Sequence, residues 1–180
     1  MSQDDPAPRL RPEPLILTVA LDPASFARFD AERRAYFPPH LNRIPAHVTL
    51  FHHLPGEAEV DIAATLLAAC GGRGPEAVQV TGLMPLGRGV AYRLEAPGLA
   101  ELRAGLARHW ADWLTPQDRQ PWRPHVTVQN KVSPEVARDT LSQLRAAFVP
   151  WEAQARGLLL WRYKGGPWES VAEFAFAGGV

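Results

Sequence analysis

Cysteine is nearly absent. Cys70 is the only one, so no internal disulfide can form, and a reducing cytoplasm is the expected setting. Cys70 itself is read as inert helix packing. No apolar run approaches the ~18 residues that a membrane-spanning helix needs, and no membrane partner is expected. The polar, proline-rich opening MSQDDPAPRLRPEP lacks a signal-peptide core and is read as a flexible tail over residues 1–13. An excess of one charge is missing too. Nineteen basic residues balance nineteen acidic ones, which argues against a protein that coats long nucleic acid by neutralising phosphates. There is also no glycine-rich loop between a first strand and a helix. Gly87-Arg88-Gly89 joins two strands and has no helix behind it to hold a phosphate, which disfavours a Rossmann-type nucleotide site. What is present is a chain of 180 residues with 46% apolar content, enough for one core or two small fused lobes.

Against this plain background one tetrapeptide recurs: His47-Val48-Thr49-Leu50 and His125-Val126-Thr127-Val128. With six His, thirteen Val and seven Thr in the chain, His-Val-Thr should arise by chance about 0.02 times. Two copies, one in each half, call for a chemical explanation.

The surrounding elements repeat as well. Residues 15–21 read as a buried strand. Asp22 and Pro23 then offer an N-cap and a first helical position, and Phe26, Phe29, Arg33 and Phe37 follow at helical spacing until Pro38-Pro39. A motif strand over 46–52 comes next. A helix over 56–71 has Val60, Ala63, Ala64, Leu67 and Ala68 as its predicted apolar face, and a strand over 77–84 closes the first half. The second half runs through a strand at 90–94, a helix with Leu99, Leu102, Leu106, His109, Trp110 and Trp113 on one face, and the motif strand at His125. Ser133-Pro134 starts a further helix with Val136, Leu141, Leu144 and Phe148 as its apolar side, and strands over 155–163 and 168–176 end the chain. The reading is a duplicated α+β unit occupying 14–180, with lobes of roughly 14–86 and 87–180, neither stable alone.

Alternation along a strand sends His47 and Thr49 to one face and Val48 and Leu50 to the other, and the second copy matches it. If a pseudo-twofold relates the halves, the two polar faces meet in a central groove. Two imidazoles and two hydroxyls suit in-line displacement at phosphorus. One neutral imidazole takes a proton from the attacking oxygen, the other, protonated, gives one to the leaving oxygen, and the hydroxyls hold the non-bridging oxygens. No metal or other cofactor is needed.

Other residues are placed around this centre. Arg43, Arg123, Lys131 and Arg162 are candidate substrate contacts, with Arg123 favoured because it shares strand parity with His125. Parity also brings His53 toward the groove rim, while His52 is read as structural and His40 and His109 as surface or packing residues. Trp161, Tyr163 and Trp168 are read as core, with a base-stacking wall as the alternative that keeps Tyr163 among the candidate contacts. A nucleotide- or RNA-end-binding module without chemistry is the rival reading. A zinc hydrolase using His47, His53 and His125 is disfavoured, since HExxH and similar ligand spacings are missing.

The contexts RIPAHVTLF and WRPHVTVQN, with the closing LWRYKGGPW, resemble the 2H phosphoesterase superfamily and within it the 2'-5' RNA ligase-like proteins. The resemblance implies a bilobal fold with pseudo-twofold symmetry, each lobe an antiparallel sheet with helices outside. It implies His47 and His125 as the acid–base pair and Thr49 and Thr127 as phosphate ligands. It also implies activity on 2',3'-cyclic phosphates of RNA ends or nucleotides, on ADP-ribose cyclic phosphate, or reversible 2'-5' joining of RNA ends. The expected ligand is a small nucleotide or RNA terminus bearing a cyclic phosphate, and the expected state a monomer.

Overall fold

Seven strands in antiparallel pairing and four α-helices make up the fold, which a computed structural model describes over residues 12–178. The strands are β1 (Leu15–Leu21), β2 (Thr49–Leu54), β3 (Glu76–Pro85), β4 (Val90–Glu95), β5 (His125–Gln129), β6 (Trp151–Tyr163) and β7 (Trp168–Ala175). The helices are α1 (Pro23–Tyr36), α2 (Glu59–Gly71), α3 (Pro97–His109) and α4 (Pro134–Ala147). Local chemistry sets the starts of two of them. The Asp22 carboxylate accepts the Ser25 N–H at 3.0 Å ahead of Pro23, and the Ser133 hydroxyl accepts the Val136 N–H at 3.3 Å ahead of Pro134.

The strand order is β2-β1-β6-β3-β4-β5, with β7 added to β6. Exchanging β1 with β4, β2 with β5 and β3 with β6 reproduces the same order from the other end, so the two motif strands lie at opposite ends of it. Strand pairing runs across the expected limit between residues 86 and 87. β3 pairs with β4 of the second half, and β6 pairs with β1 of the first, because each half sends its last strand across to the other. The two expected sheets are also joined into one. The first residues of the 13-residue β6 pair with β3 and its last with β7, while β1 runs along 155–162.

The core forms where the inward alternates of the strands meet the helices. Val48, Leu50, Val126 and Val128 are all buried, as the motif alternation requires. In α2, however, the buried line is Ile62, Leu66 and Cys70, while Val60 is 82% and Leu67 68% exposed. This helix is apolar almost all round, so two stripes compete. The line of Ile62 and Leu66 buries more area than one made largely of alanines. His109 and Val136 are likewise exposed rather than on a packed face. The expected tail over 1–13 falls mostly on undescribed residues. Residues 1–11 lie outside the described residues, but Glu13 pairs with Lys164 at 2.9 Å and the Pro14 carbonyl accepts the Tyr163 N–H at 2.9 Å. Gly56 permits this path, since a Cβ there would lie 2.2 Å from the Glu13 carbonyl oxygen.

Candidate active site

Both motif histidines are held by the same device. His47 Nδ1 lies 2.8 Å from the Pro45 carbonyl, and His125 Nδ1 lies 2.8 Å from the Arg123 carbonyl, two residues back in each case. A carbonyl can only accept, so Nδ1 carries the hydrogen and Nε2 is the working atom of each ring. His47 is not inside the strand as expected, because β2 begins at Thr49. Its segment is fixed from the side instead, where Asp30 of α1 accepts the Ala46 N–H at 3.0 Å and the Val48 carbonyl accepts the Val19 N–H at 2.9 Å.

Two buried arginines tie the motifs to each other. Arg33, 4% exposed, donates to Asn42 Oδ1 at 2.8 Å and the Ile44 carbonyl at 3.1 Å, both ahead of His47, and across to the Thr127 carbonyl at 2.8 Å. Arg103, 8% exposed, donates to the Asp118 carbonyl at 2.7 Å, ahead of His125, and across to the Leu50 carbonyl at 2.9 Å. Each guanidinium also covers an aromatic ring, Phe37 at 4.2 Å and Phe51 at 4.9 Å. The helix of each half thereby holds the motif of the other. In the sequence Arg33 shares its helical spacing with Phe26, Phe29 and Phe37. A basic residue in phase with a hydrophobic stripe is the signal, and Arg103 shows it too, four residues after Leu99.

The walls around the two histidines differ. On one side of His47 is a largely apolar cavity of about 260 Å³ lined by Phe26, Leu159, Trp161 and Trp168, with Glu173 also in its lining. The Trp168 ring lies 4.8 Å from the imidazole, and Trp161 Nε1 is fixed by Thr18 Oγ1 at 2.9 Å. Trp161 and Trp168 are therefore walls of the site rather than core. Burial, reinforced by the positive charge of Arg33, pushes His47 down to about 4, so its neutral form is favoured. Thr49 and His125 face a cleft of about 400 Å³ on the other side, which Trp122 helps to wall while its Nε1 donates to the Thr49 carbonyl at 2.9 Å. Thr127, half-buried, is two residues from His125 on the same strand.

His52 enters this cleft and His53 does not. Two irregularities in the β1–β2 register break the simple alternation that put His53 at the groove, and His53 lines a separate cleft with Glu13 and Trp113. His52 Nδ1 lies 3.0 Å from Asp118 Oδ1, and the backbone N–H groups of His52 and His53 also donate to that carboxylate. Burial alone would raise Asp118, but these hydrogen bonds outweigh it and hold the carboxyl below its ordinary value. Local sequence pattern carries no sign of the His52–Asp118 pair, whose partners are 66 residues apart.

The remaining candidates scatter. Arg123 lines the cleft with His125. Arg43 sits near the β6–β7 turn at Gly166, and Lys131 occupies a left-handed turn position with φ 62°. Arg162 is neutralised by Glu59 and Glu169, each at 2.5 Å, and Tyr163 lies at the end of β6 beside the Pro14 carbonyl. None of these four lines either wall beside the motifs. Among the described residues no group of three His, Cys, Asp or Glu side chains is placed to hold a metal ion.

Each ring leaves an Nε2 that can accept or supply a proton, and a threonine follows two residues along from each. A family model described as the 2'-5' RNA ligase superfamily matches residues 21–167. No curated protein matches the sequence. Among solved structures, TT0787 of Thermus thermophilus is similar with a TM-score of 0.66 at 19% identity, covering 93% of this chain and 100% of that one. Apo LigT of E. coli gives a TM-score of 0.59 at 21% identity, over 92% of this chain and 98% of its own. LigT complexed with phosphate gives 0.58 at 21% identity, with the same coverage. At these identities the likeness is one of fold.

Proposed function

The chain belongs to the 2'-5' RNA ligase superfamily, and from that premise we propose that it is a metal-independent phosphodiesterase opening a 2',3'-cyclic phosphate on an RNA end or small nucleotide. His47 Nε2 takes a proton from the attacking water as its oxygen bonds to phosphorus. The bond to the 3'-oxygen breaks, His125 supplies that oxygen with a proton, and a 2'-phosphate remains. Thr49 and Thr127 donate to the non-bridging oxygens, where charge builds in the transition state. With an RNA 5'-hydroxyl attacking in place of water, the same steps form a 2'-5' linkage and release the 3'-hydroxyl, and run backward they cleave it.

The observation that carries this reading is the pair of matched anchors, 2.8 Å each, that leave two Nε2 atoms free. The depressed value of His47 supports its role as base, since a group held neutral is ready to accept a proton. LigT, similar in fold, has been solved with 3'-AMP and with ATP, which supports a small nucleotide as the ligand here. The test is a panel of nucleoside 2',3'-cyclic phosphates, ADP-ribose cyclic phosphate and cyclic-phosphate RNA ends, assayed with EDTA present. Turnover to a 2'-phosphate that survives chelation is expected. Loss of activity with EDTA, or no turnover of any member, rejects the proposal.

A further inference from the structure

The cleft beside Thr49 and His125 extends well past the motif residues. Its wall carries His52, Arg123, Gln117 and Gln120, and no acidic side chain lines it. Asp118, directly behind, is fully buried at the side chain and has both oxygens engaged by His52 and by the N–H of His53. With Nδ1 committed to Asp118, His52 has Nε2 as its free ring atom. Arg123 makes no ion pair among the described residues.

We propose that this cleft is a second anion subsite, in which His52, Arg123 and the two glutamines bind a further phosphate of the same substrate. The inference rests on the proposed function, because it takes the reacting phosphate to lie between the motifs. A phosphate next to that centre needs polar partners without a competing carboxylate, and the cleft wall supplies a histidine ring, a guanidinium and two amides. The subsite is one-sided. The residue five after His47 is His52, whereas the residue five after His125 is Asn130, and the wall beyond His47 is aromatic. A substrate with two phosphates is therefore held in one direction only. That second phosphate is either a terminal 5'-phosphate or the next diester of an RNA chain.

Calorimetric binding separates these cases without requiring turnover. Adenosine 2'-phosphate, adenosine 2',5'-bisphosphate and the dinucleotide ApA ending in a 2'-phosphate are titrated into the full chain. The bisphosphate is expected to bind about tenfold more tightly than the monophosphate, the scale of one charge-assisted contact. His52→Gln and Arg123→Ala are each expected to bring that ratio toward one, whatever they do to the monophosphate alone. A dinucleotide that matches the bisphosphate supports an internal diester in the subsite, and one that matches the monophosphate supports a terminal phosphate. Equal wild-type affinities for the mono- and bisphosphate, a ratio untouched by both variants, or no binding of either ligand overturns the subsite. Failure of the cyclic-phosphate panel would instead count against the proposed chemistry, so the two outcomes remain distinct.

Discussion

Behind His47 stands an aromatic wall and behind His125 a polar one, although both imidazoles hang from the same anchor. Trp168 packs 4.8 Å from the first ring, while the second shares its cleft with Arg123, Gln117 and Gln120. The matched anchors give the proposed reaction two proton carriers, and the walls distinguish them. The dry side favours a neutral imidazole and hence a base, and the wet side favours contact with anions. In the proposed reaction, direction is thus a property of the walls, while competence belongs to the repeated motif.

The largest expected effect removes the repeated part. His47→Ala and His125→Ala should each lower kcat by about 10²–10⁴-fold, the usual contribution of a positioned acid or base. Steady-state kinetics on a cyclic nucleotide, with circular dichroism to confirm folding, checks this. If only one variant lost activity, the two motifs would not be partners and the comparison would break.

A smaller effect comes from the crossed arginines. Arg33→Ala leaves the Ile44 and Thr127 carbonyls without their buried donor, and Arg103→Ala does the same to Leu50 and Asp118. Each should cost about 3 kcal/mol in urea unfolding, from lost charge-assisted bonds and stranded acceptors. Both should also lower kcat, since each arginine joins the approach to one motif to the strand of the other. Lysine at either site should recover only part of the stability, because one ammonium cannot span acceptors that a guanidinium fork reaches. Equal losses would support a symmetric brace, and a loss at one arginine alone would show that a single motif needs support.

The parts legible in the sequence were those carried by local pattern. The caps Asp22 and Ser133, the buried valines of the motifs and the order of elements follow from propensity and alternation. Pairs far apart in the chain were not legible. Nothing near Asp118 points to His52, and nothing near Arg33 points to Thr127, 94 residues away. Parity arguments failed where register shifts broke the β1–β2 ladder, which turned His52 rather than His53 into the cleft. The exchange of β3 and β6 between halves was hidden for the same reason, since a pairing partner is chosen by the sheet and not by the neighbouring sequence.

The smallest effect bears on the aromatic wall itself. Burial holds His47 at about 4, below the ordinary 6.5, so the base stays neutral down to roughly pH 4 and the acid limb of kcat/KM should lie there. The same shift acts on stability. The fold favours the neutral ring, so its contribution is whole above pH 6.5 and is lost as pH falls from 6.5 toward 4. Trp168→Ala opens the imidazole to water and should move the acid limb up toward 6.5. At pH 7 the rate should change only a few-fold, while at pH 5 the deficit should be larger. The acid-side fall in stability, read by thermal unfolding at pH 7, 6, 5 and 4, should flatten in the same variant. An acid limb that stays in place after Trp168 is removed would mean that the wall does not set the base, and the assignment of roles by environment would fail.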